Sequence, residues 1–156
     1  MNKKGPIVVV EDDLDDQMIL SEVFKSLNYL NEIVFFEDGE QALNYLQKDG
    51  VYPFLILSDI NLPKLDGFRL RQMVYTNDQL SKKCIPYLFF STTASQKVVA
   101  DAYTMSIQGF FIKPTKFDDM KDTIRIIIEY WQKCFSPNNY KEHYHQWNAA
   151  SNKEQL

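Results

Sequence analysis

Short continuous runs of apolar residues recur along the chain, and between them apolar residues are spaced by three or four positions. Continuous runs rich in β-branched and aromatic residues are typical of strands buried on both faces of a sheet. They predict five strands, at residues 6–10, 33–36, 53–58, 84–90 and 108–112. The spaced pattern predicts a helix after each strand. The last helix follows the helical period most closely, with apolar positions at Met120, Ile124, Ile127, Ile128 and Trp131.

Acidic residues mark the starts of two predicted helices. Asp13, Asp15 and Asp16 precede or open the first helix, where they are predicted to interact with the helix dipole and to aid solubility. Asp66 is predicted to cap a third helix over residues 66–76. The apolar stripe predicted for the first helix, over residues 14–28, comprises Leu14, Met18, Leu20, Phe24 and Leu27.

The alternation of five strands with five helices predicts an α/β domain whose parallel sheet is covered by helices on both faces. Because crossovers between parallel strands are right-handed, few topologies remain. The favoured one is the flavodoxin-like doubly wound sheet with strand order 2-1-3-4-5. This order places the first and third strands side by side at the switch point.

Charged side chains follow three of these strands at their C-terminal ends. Glu11 and Asp12 follow the first strand, and Asp59 follows the third. Lys113 follows the fifth strand. Ligands of open parallel sheets bind at this edge. The sequence therefore predicts a divalent-cation site beside a nucleophilic carboxylate.

Four segments together carry a family resemblance. They are residues 10–13 (Val-Glu-Asp-Asp), 58–67 (Ser-Asp-Ile-Asn-Leu-Pro-Lys-Leu-Asp-Gly), 90–92 (Phe-Ser-Thr) and 109–114 (Gly-Phe-Phe-Ile-Lys-Pro). Each segment alone is weak evidence for a family. The four segments together, in this order and at the ends of strands, are specific. The chain resembles the receiver domain of bacterial two-component response regulators, in the manner of a stand-alone chemotaxis regulator. The resemblance assigns residues 5–135 to the receiver domain and leaves residues 136–156 as a C-terminal extension.

The resemblance implies a role for each residue at the strand ends. Asp59 is the implied phospho-acceptor, whose carboxylate attacks a phosphohistidine and forms an acyl phosphate. Lys113 is implied to neutralise charge on the phosphoryl group. The implied metal ligands are Glu11, Asp12, Asp59 and the backbone carbonyl of Asn61. Oxygen ligands of this kind suit Mg²⁺, with Mn²⁺ as the alternative.

The resemblance also implies a switch. Ser91 is expected to hydrogen-bond a phosphoryl oxygen and to draw the following loop with it. The vacated space would let Phe110 turn inward. Many family members have Tyr where this chain has Phe110, so coupling here is predicted to rest on packing. The family also implies a cis peptide bond between Lys113 and Pro114.

Composition and charge narrow the function classes. The chain has 156 residues, enough for one domain with a hydrophobic core. A net charge of −4 argues against a nucleic-acid-binding surface, which needs concentrated Lys and Arg. No apolar stretch is long enough to span a membrane, and no signal peptide is visible. Two cysteines are too few for a disulfide framework. With Cys84 expected as a buried thiol, a reduced cytoplasmic protein is predicted.

The C-terminal extension falls outside the resemblance. Tyr140, Tyr144 and Trp147 fall on one face of a predicted short amphipathic helix, followed by a frayed end from residue 148. Packing of this helix on its own domain, contact with a partner or a second copy of the chain, and disorder all stay open.

The sequence thus predicts a single-domain response regulator rather than an enzyme acting on an external substrate. Its phosphoryl donor is expected to be a histidine kinase or phosphotransfer protein. Its output is expected to be a protein–protein contact through the fourth helix, fifth strand and fifth helix, with an unknown downstream protein. Two alternatives remain: a phosphate-independent binding module and an aspartate-nucleophile phosphohydrolase. The hydrolase would need an acid two residues after the nucleophile, where Asn61 stands.

Overall fold

The computed structural model describes residues 1–135, in which five strands alternate with six helices. The strands are β1 (Ile7–Val10), β2 (Ile33–Phe36), β3 (Leu55–Ser58), β4 (Tyr87–Ser91) and β5 (Gly109–Ile112). The helices are α1 (Leu14–Leu27), α2 (Gly39–Leu46), α3 (Gly67–Thr76), α4 (Asp78–Ser81), α5 (Gln96–Thr104) and α6 (Phe117–Lys133). The predictions for the extension at residues 136–156 lie outside the described residues.

The strands form one parallel sheet in the order β2-β1-β3-β4-β5. Val10 of β1 pairs with Phe36 of β2 on one side and with Ser58 of β3 on the other, so these three strands end at the same level. The predicted flavodoxin-like fold and its strand order are confirmed. The residues that directly follow β1 and β3 therefore have backbones that lie next to each other.

Helices cover both faces of the sheet, because successive side chains of a buried strand point to opposite sides. Val8 and Val10 of β1 pack in the cluster that includes residues of α2, α3, α4 and α5. Ile7 and Val9 pack in the cluster formed with α1 and α6. All four residues of β1 are buried, as the continuous apolar run predicts.

Aspartate side chains begin three of the helices. Asp13 accepts hydrogen bonds from two backbone N–H groups in the first turn of α1. Asp38 and Asp66 each accept one, at the starts of α2 and α3. These bonds satisfy N–H groups that have no partner within the helix. The capping role predicted for Asp66 is confirmed, and Asp13 acts at the start of α1 as expected.

The predicted apolar stripe of α1 is wrong at its first two positions. Leu14 and Met18 are each 63% exposed, whereas Leu20, Val23 and Phe24 are buried. Leu14 and Met18 lie one turn apart on the same side of the helix, roughly opposite the buried residues. The apolar residues in the C-terminal half of α1 therefore pack against the sheet. The apolar residues near its N-terminal end face solvent instead.

The prediction of a strand from residue 84 is also wrong. A short helix, α4, precedes it, and the backbone N–H of Cys84 bonds to the carbonyl of Ser81 at 3.1 Å. Cys84 has a φ of 50° and is exposed rather than buried. This left-handed turn ends the short helix and directs the thiol outward, so β4 begins only at Tyr87.

Candidate functional site

Backbone hydrogen bonds fix three residues just beyond the ends of the strands. The N–H of Asp59 donates to the carbonyl of Val10 at 2.9 Å, which continues the β1–β3 pairing by one residue. The N–H of Lys113 likewise donates to the carbonyl of Ser91 at 3.0 Å, and that of Glu11 to Phe36 at 2.9 Å. The backbones of these three residues therefore continue the hydrogen-bonding pattern of the sheet, which sets the positions from which their side chains extend.

Both carboxylate oxygens of Asp59 are engaged. Its Oδ1 accepts hydrogen bonds from the backbone N–H of Ile60 at 2.5 Å and from Ser91 Oγ at 2.7 Å. Its Oδ2 accepts one from Lys113 Nζ at 3.0 Å. Asp59 is 8% exposed. These donors supply hydrogen bonds to a carboxylate that is largely removed from water.

Lys113 lies among three carboxylates. Its Nζ donates to Glu11 Oε2, to Asp16 Oδ2 at 2.9 Å and to Asp59 Oδ2 at 3.0 Å. Burial by itself lowers the pKa of Lys113, but the surrounding carboxylates more than offset it and raise that pKa above its usual value. The ammonium group is therefore a permanent positive charge at neutral pH.

Glu11 is the most deeply buried acid of this cluster, at 2% exposure. Its Oε1 accepts a hydrogen bond from the backbone N–H of Asp13 at 3.1 Å. Burial raises the pKa of Glu11, and the hydrogen bond from Lys113 opposes that shift. The Lys113 ammonium thus offsets part of the cost of burying the Glu11 carboxylate.

The predicted metal ligands are brought together only in part. Glu11 and Asp59 share the Lys113 ammonium, whereas Asp12 and Asn61 are exposed. Within residues 1–135, no group of three or more His, Cys, Asp or Glu side chains is arranged to hold a metal ion. The donor chemistry nevertheless fits a hard divalent cation, because carboxylates outnumber the single ammonium. The ligand set stays a prediction.

The two residues predicted for the switch lie on neighbouring strands. Ser91, fully buried at the end of β4, already donates to the Asp59 carboxylate. Phe110 on β5 is half-buried, and its ring lies 6.1 Å from that of Phe89, tilted by 59°. Phe89 and Phe110 are paired in register. Phe110 thus contacts Phe89, which lies two residues before Ser91 on β4.

Two residues that matter for this site have roles that the sequence reading missed. Asp16, predicted to serve only the helix dipole and solubility, forms a salt bridge with Lys113. Gly67 lies so close to Asp59 that a Cβ there would be 2.2 Å from the Asp59 carbonyl oxygen. The role of Asp16 could have been predicted from the sequence, because the first turn after β1 lies at the same edge of the sheet as Glu11.

The cis bond implied between Lys113 and Pro114 is wrong. No peptide bond among residues 1–135 is cis. The trans form is the intrinsically favoured isomer of a bond before proline, by roughly 0.5–1 kcal/mol.

The comparison with protein families decides the identity of this domain. Residues 7–125 match the family model of the response regulator receiver domain. The chain belongs to the response regulator receiver family. Receiver domains of this family act in two-component signalling, and their only catalysis is their own phosphorylation and dephosphorylation. Its receiver domains are phosphorylated by histidine kinases, bind Mg²⁺ or Mn²⁺ and act on downstream proteins.

Two curated relatives align with most of this receiver chain. A probable methanogenesis regulatory protein, FilR2 of Methanothrix harundinacea, is 32% identical over 129 residues, with 80% of this chain and 82% of FilR2 covered. The response regulator Rcp1 of Synechocystis is 29% identical over 135 residues, with 83% of this chain and 90% of Rcp1 covered.

Solved receiver structures superpose on the described fold. The phosphorylated cyanobacterial phytochrome response regulator RcpA is similar with a TM-score of 0.76 at 25% identity, covering 85% of this chain and 96% of RcpA. The Mn²⁺-bound form of Rcp1 gives a TM-score of 0.72 at 28% identity, covering 85% and 97%. Within residues 1–135, no helix has the length and apolar character needed to cross a bilayer.

Proposed function

We propose that Asp59 of this receiver domain accepts a phosphoryl group from a phosphohistidine of a histidine kinase or phosphotransfer protein. One observation carries the proposal: a single buried carboxylate meets the hydroxyl of Ser91 at 2.7 Å and the ammonium of Lys113 at 3.0 Å. A nucleophile flanked by a cation and a hydroxyl donor suits transfer to an anionic phosphoryl group. The phosphorylated state named for RcpA, a structural neighbour, supports the same chemistry.

The transfer exchanges one bond for another. A carboxylate oxygen of Asp59 forms a bond to phosphorus while the bond from phosphorus to the donor imidazole breaks, and the imidazole takes up a proton as it leaves. Lys113 offsets negative charge on the phosphoryl oxygens, because its ammonium group already lies beside Asp59 Oδ2. Hydrolysis of the same acyl phosphate later restores the carboxylate.

The acids at the edge of the sheet would hold the cation that this transfer needs. We assign Glu11, Asp12, Asp59 and the backbone carbonyl of Asn61 to Mg²⁺, with Mn²⁺ as the alternative. The cation supplies charge neutralisation between the nucleophile and the phosphoryl oxygens. The chain contributes the placement of the carboxylates, which β1 and β3 hold side by side through the pairing of Val10 with Ser58.

Phosphorylation would be read out through β4 and β5. Ser91 would exchange its bond with Asp59 Oδ1 for one with a phosphoryl oxygen, which moves the end of β4. Phe110 lacks a hydroxyl group, so its response rests on packing against Phe89. The output signal in this chain is therefore a change of packing.

The surface formed by α5, β5 and α6 is the proposed output surface. Tyr103 on α5 is 55% exposed, Ile112 on β5 is 60% exposed, and Phe117 on α6 is 40% exposed. Exposed large apolar side chains of this kind are typical of protein contacts. They support a downstream protein as the target of the switch.

Intact mass spectrometry tests the proposal. The protein is incubated with acetyl phosphate and Mg²⁺, beside an Asp59→Asn variant and a sample with excess chelator. We expect a gain of one phosphoryl group that requires both Asp59 and the metal. A folded protein that gains no phosphoryl group from acetyl phosphate or from a histidine kinase would contradict the proposal. It would favour the phosphate-independent binding module instead.

The site disfavours a phosphohydrolase. Such an enzyme uses an acid two residues after its nucleophile to protonate the leaving group. Asn61 occupies that position, and its amide donates to Thr93 Oγ1 at 3.4 Å. An amide group donates hydrogen bonds but does not ionise near neutral pH, so Asn61 cannot serve as a general acid. We expect no turnover of phosphomonoesters.

A further inference from the structure

The Lys113 ammonium has three hydrogen-bond donors, and the structure gives each a carboxylate partner. Two of these partners are Glu11 and Asp59, both nearly buried. The third is Asp16, at 2.9 Å, whose side chain is 34% exposed. An ammonium group has three N–H donors and no acceptor. All three ammonium N–H groups of Lys113 have a carboxylate partner only when Asp16 accepts one of these hydrogen bonds.

The proposed function places conflicting demands on two of these partners. Glu11 and Asp59 belong to the proposed ligand set of the divalent cation, and Asp59 is also the nucleophile. A cation bound to both would compete with Lys113 for the same oxygen atoms. A buried ammonium without a counter-charge is strongly unfavourable. Asp16 is the one partner of Lys113 that has no other task in the transfer.

Hydrogen bonds of the first turn of α1 hold Asp16 in place. It lies in the first turn of α1, where its backbone N–H donates to the capping Asp13 side chain at 3.2 Å. Gln17 ties the same turn to the end of β1 through a hydrogen bond to the Glu11 carbonyl at 2.6 Å. None of these bonds uses the Asp59 carboxylate, so Asp16 keeps its place in the turn when the bonds of Asp59 change.

We propose that Asp16 is a positioning residue, which keeps the Lys113 ammonium at the phosphoryl site while a divalent cation occupies Glu11 and Asp59. This inference rests on the proposed function of Asp59. Without Asp16, Lys113 would draw its counter-charge from the carboxylates that the cation needs. The cation would then bind only by leaving the lysine unpaired.

The test compares Asp16→Asn with Asp15→Asn. Both substitutions remove one negative charge from the same helical turn, but Asp15 is exposed and forms no salt bridge within residues 1–135. The first measurement is the Mg²⁺ concentration that gives half-maximal rate of phosphorylation by acetyl phosphate. We expect Asp16→Asn to raise it about 2- to 5-fold, a contribution typical of a partly exposed ion pair. Asp15→Asn should change it less than twofold, and Asp16→Glu should restore most of the loss.

A second measurement follows the lysine itself by NMR of its side-chain ¹⁵N ammonium group. Hydrogen-bonded ammonium groups exchange slowly enough to be observed, so we expect a Lys113 signal in wild-type protein with chelator and at saturating Mg²⁺. In Asp16→Asn the signal should disappear when Mg²⁺ is added. Thermal unfolding of each variant confirms that it is folded.

The outcomes separate the two proposals. If the wild type gains no phosphoryl group, the proposed function fails, and the NMR measurement alone decides the role of Asp16. If the wild type is phosphorylated but Asp16→Asn matches Asp15→Asn in Mg²⁺ dependence and in the Lys113 signal, the positioning role is wrong.

Discussion

Replacement of Ser91 by alanine removes the only side-chain hydroxyl bonded to the Asp59 carboxylate in the described chain. Ser91 is fully buried, and its Oγ lies 2.7 Å from Asp59 Oδ1. A hydrogen bond to a charged group contributes about 1.5–3 kcal/mol to stability. Oδ1 keeps its bond from the Ile60 N–H at 2.5 Å, so we expect a loss near the lower end, roughly 1.5–2 kcal/mol.

Ser58 offers a matched control. It is also fully buried at the end of a strand, and its Oγ donates to the backbone carbonyl of Asp59 at 2.7 Å. Because that acceptor is neutral, Ser58→Ala should cost only about 0.5–1.5 kcal/mol. Urea unfolding at neutral pH, with chelator present, measures both free energies. Ser91→Thr, which keeps the hydroxyl group, should show whether the added methyl group fits.

A double-mutant cycle isolates the contact with the charged group. In the Asp59→Asn background the acceptor is no longer charged, so Ser91→Ala should cost about 1 kcal/mol less than in the wild type. Equal losses for Ser91→Ala and Ser58→Ala, together with no coupling to Asp59, would refute the reasoning. The bond would then be no stronger than a neutral one.

The same variants test the proposed switch. Fluoroberyllate, which mimics a phosphoryl group on a carboxylate, should shift the ring NMR signals of Phe110 in the wild type and in Ser58→Ala. In Ser91→Ala the shift should be absent or much reduced, because the hydroxyl that draws the end of β4 is missing. An unchanged shift in Ser91→Ala would show that Phe110 responds by another route.

Other contacts allow predictions of the same kind. Gly67→Ala would place a Cβ 2.2 Å from the Asp59 carbonyl oxygen, so urea unfolding should show a loss of roughly 1–3 kcal/mol. Arg71→Met removes the side chain that donates to two carbonyls at the end of α5, at 3.0 and 2.6 Å, so the loss should be about 2–4 kcal/mol with faster amide exchange in α5. Burial raises the pKa of Asp38, but hydrogen bonds from Lys64 and a backbone N–H outweigh it and leave that pKa lowered. The Asp38 carboxylate therefore stabilises the fold at pH values above its unfolded-state pKa of 3.8, and this stabilisation is lost as the pH falls through the lower folded-state pKa. In Asp38→Asn the free energy of unfolding should therefore fall less steeply with acid than in the wild type.

Much of the fold was predictable because it depends on short-range patterns. The continuous run at residues 6–10 indicates a buried strand without knowledge of its neighbours. Right-handed crossovers then leave few topologies. The predicted strand order brings Glu11 and Asp59 to one edge, and the structure confirms that they share a partner there. The order of the predicted strands and their alternation with helices thus predicted the position of the site.

The predictions failed where the answer depends on small angles or on local turns. Leu14 and Met18 lie roughly opposite the buried residues of α1, and the packing of the helix turns this side to solvent. Cys84 opens an apolar run in the sequence, yet a single residue with a φ of 50° delays the strand. Neither the apolar period nor the residue type determines such a rotation or turn.

The sequence by itself determined the layers of the domain, the order of its strands and the edge at which its charged residues gather. Only the tertiary structure decided how those charges pair. Asp16 reaches Lys113 across 97 positions of the chain, and Ser91 reaches Asp59 from a neighbouring strand. These contacts depend on distances of a few ångströms between packed elements. Side-chain reach and helix placement set such distances, and local sequence patterns carry no record of them.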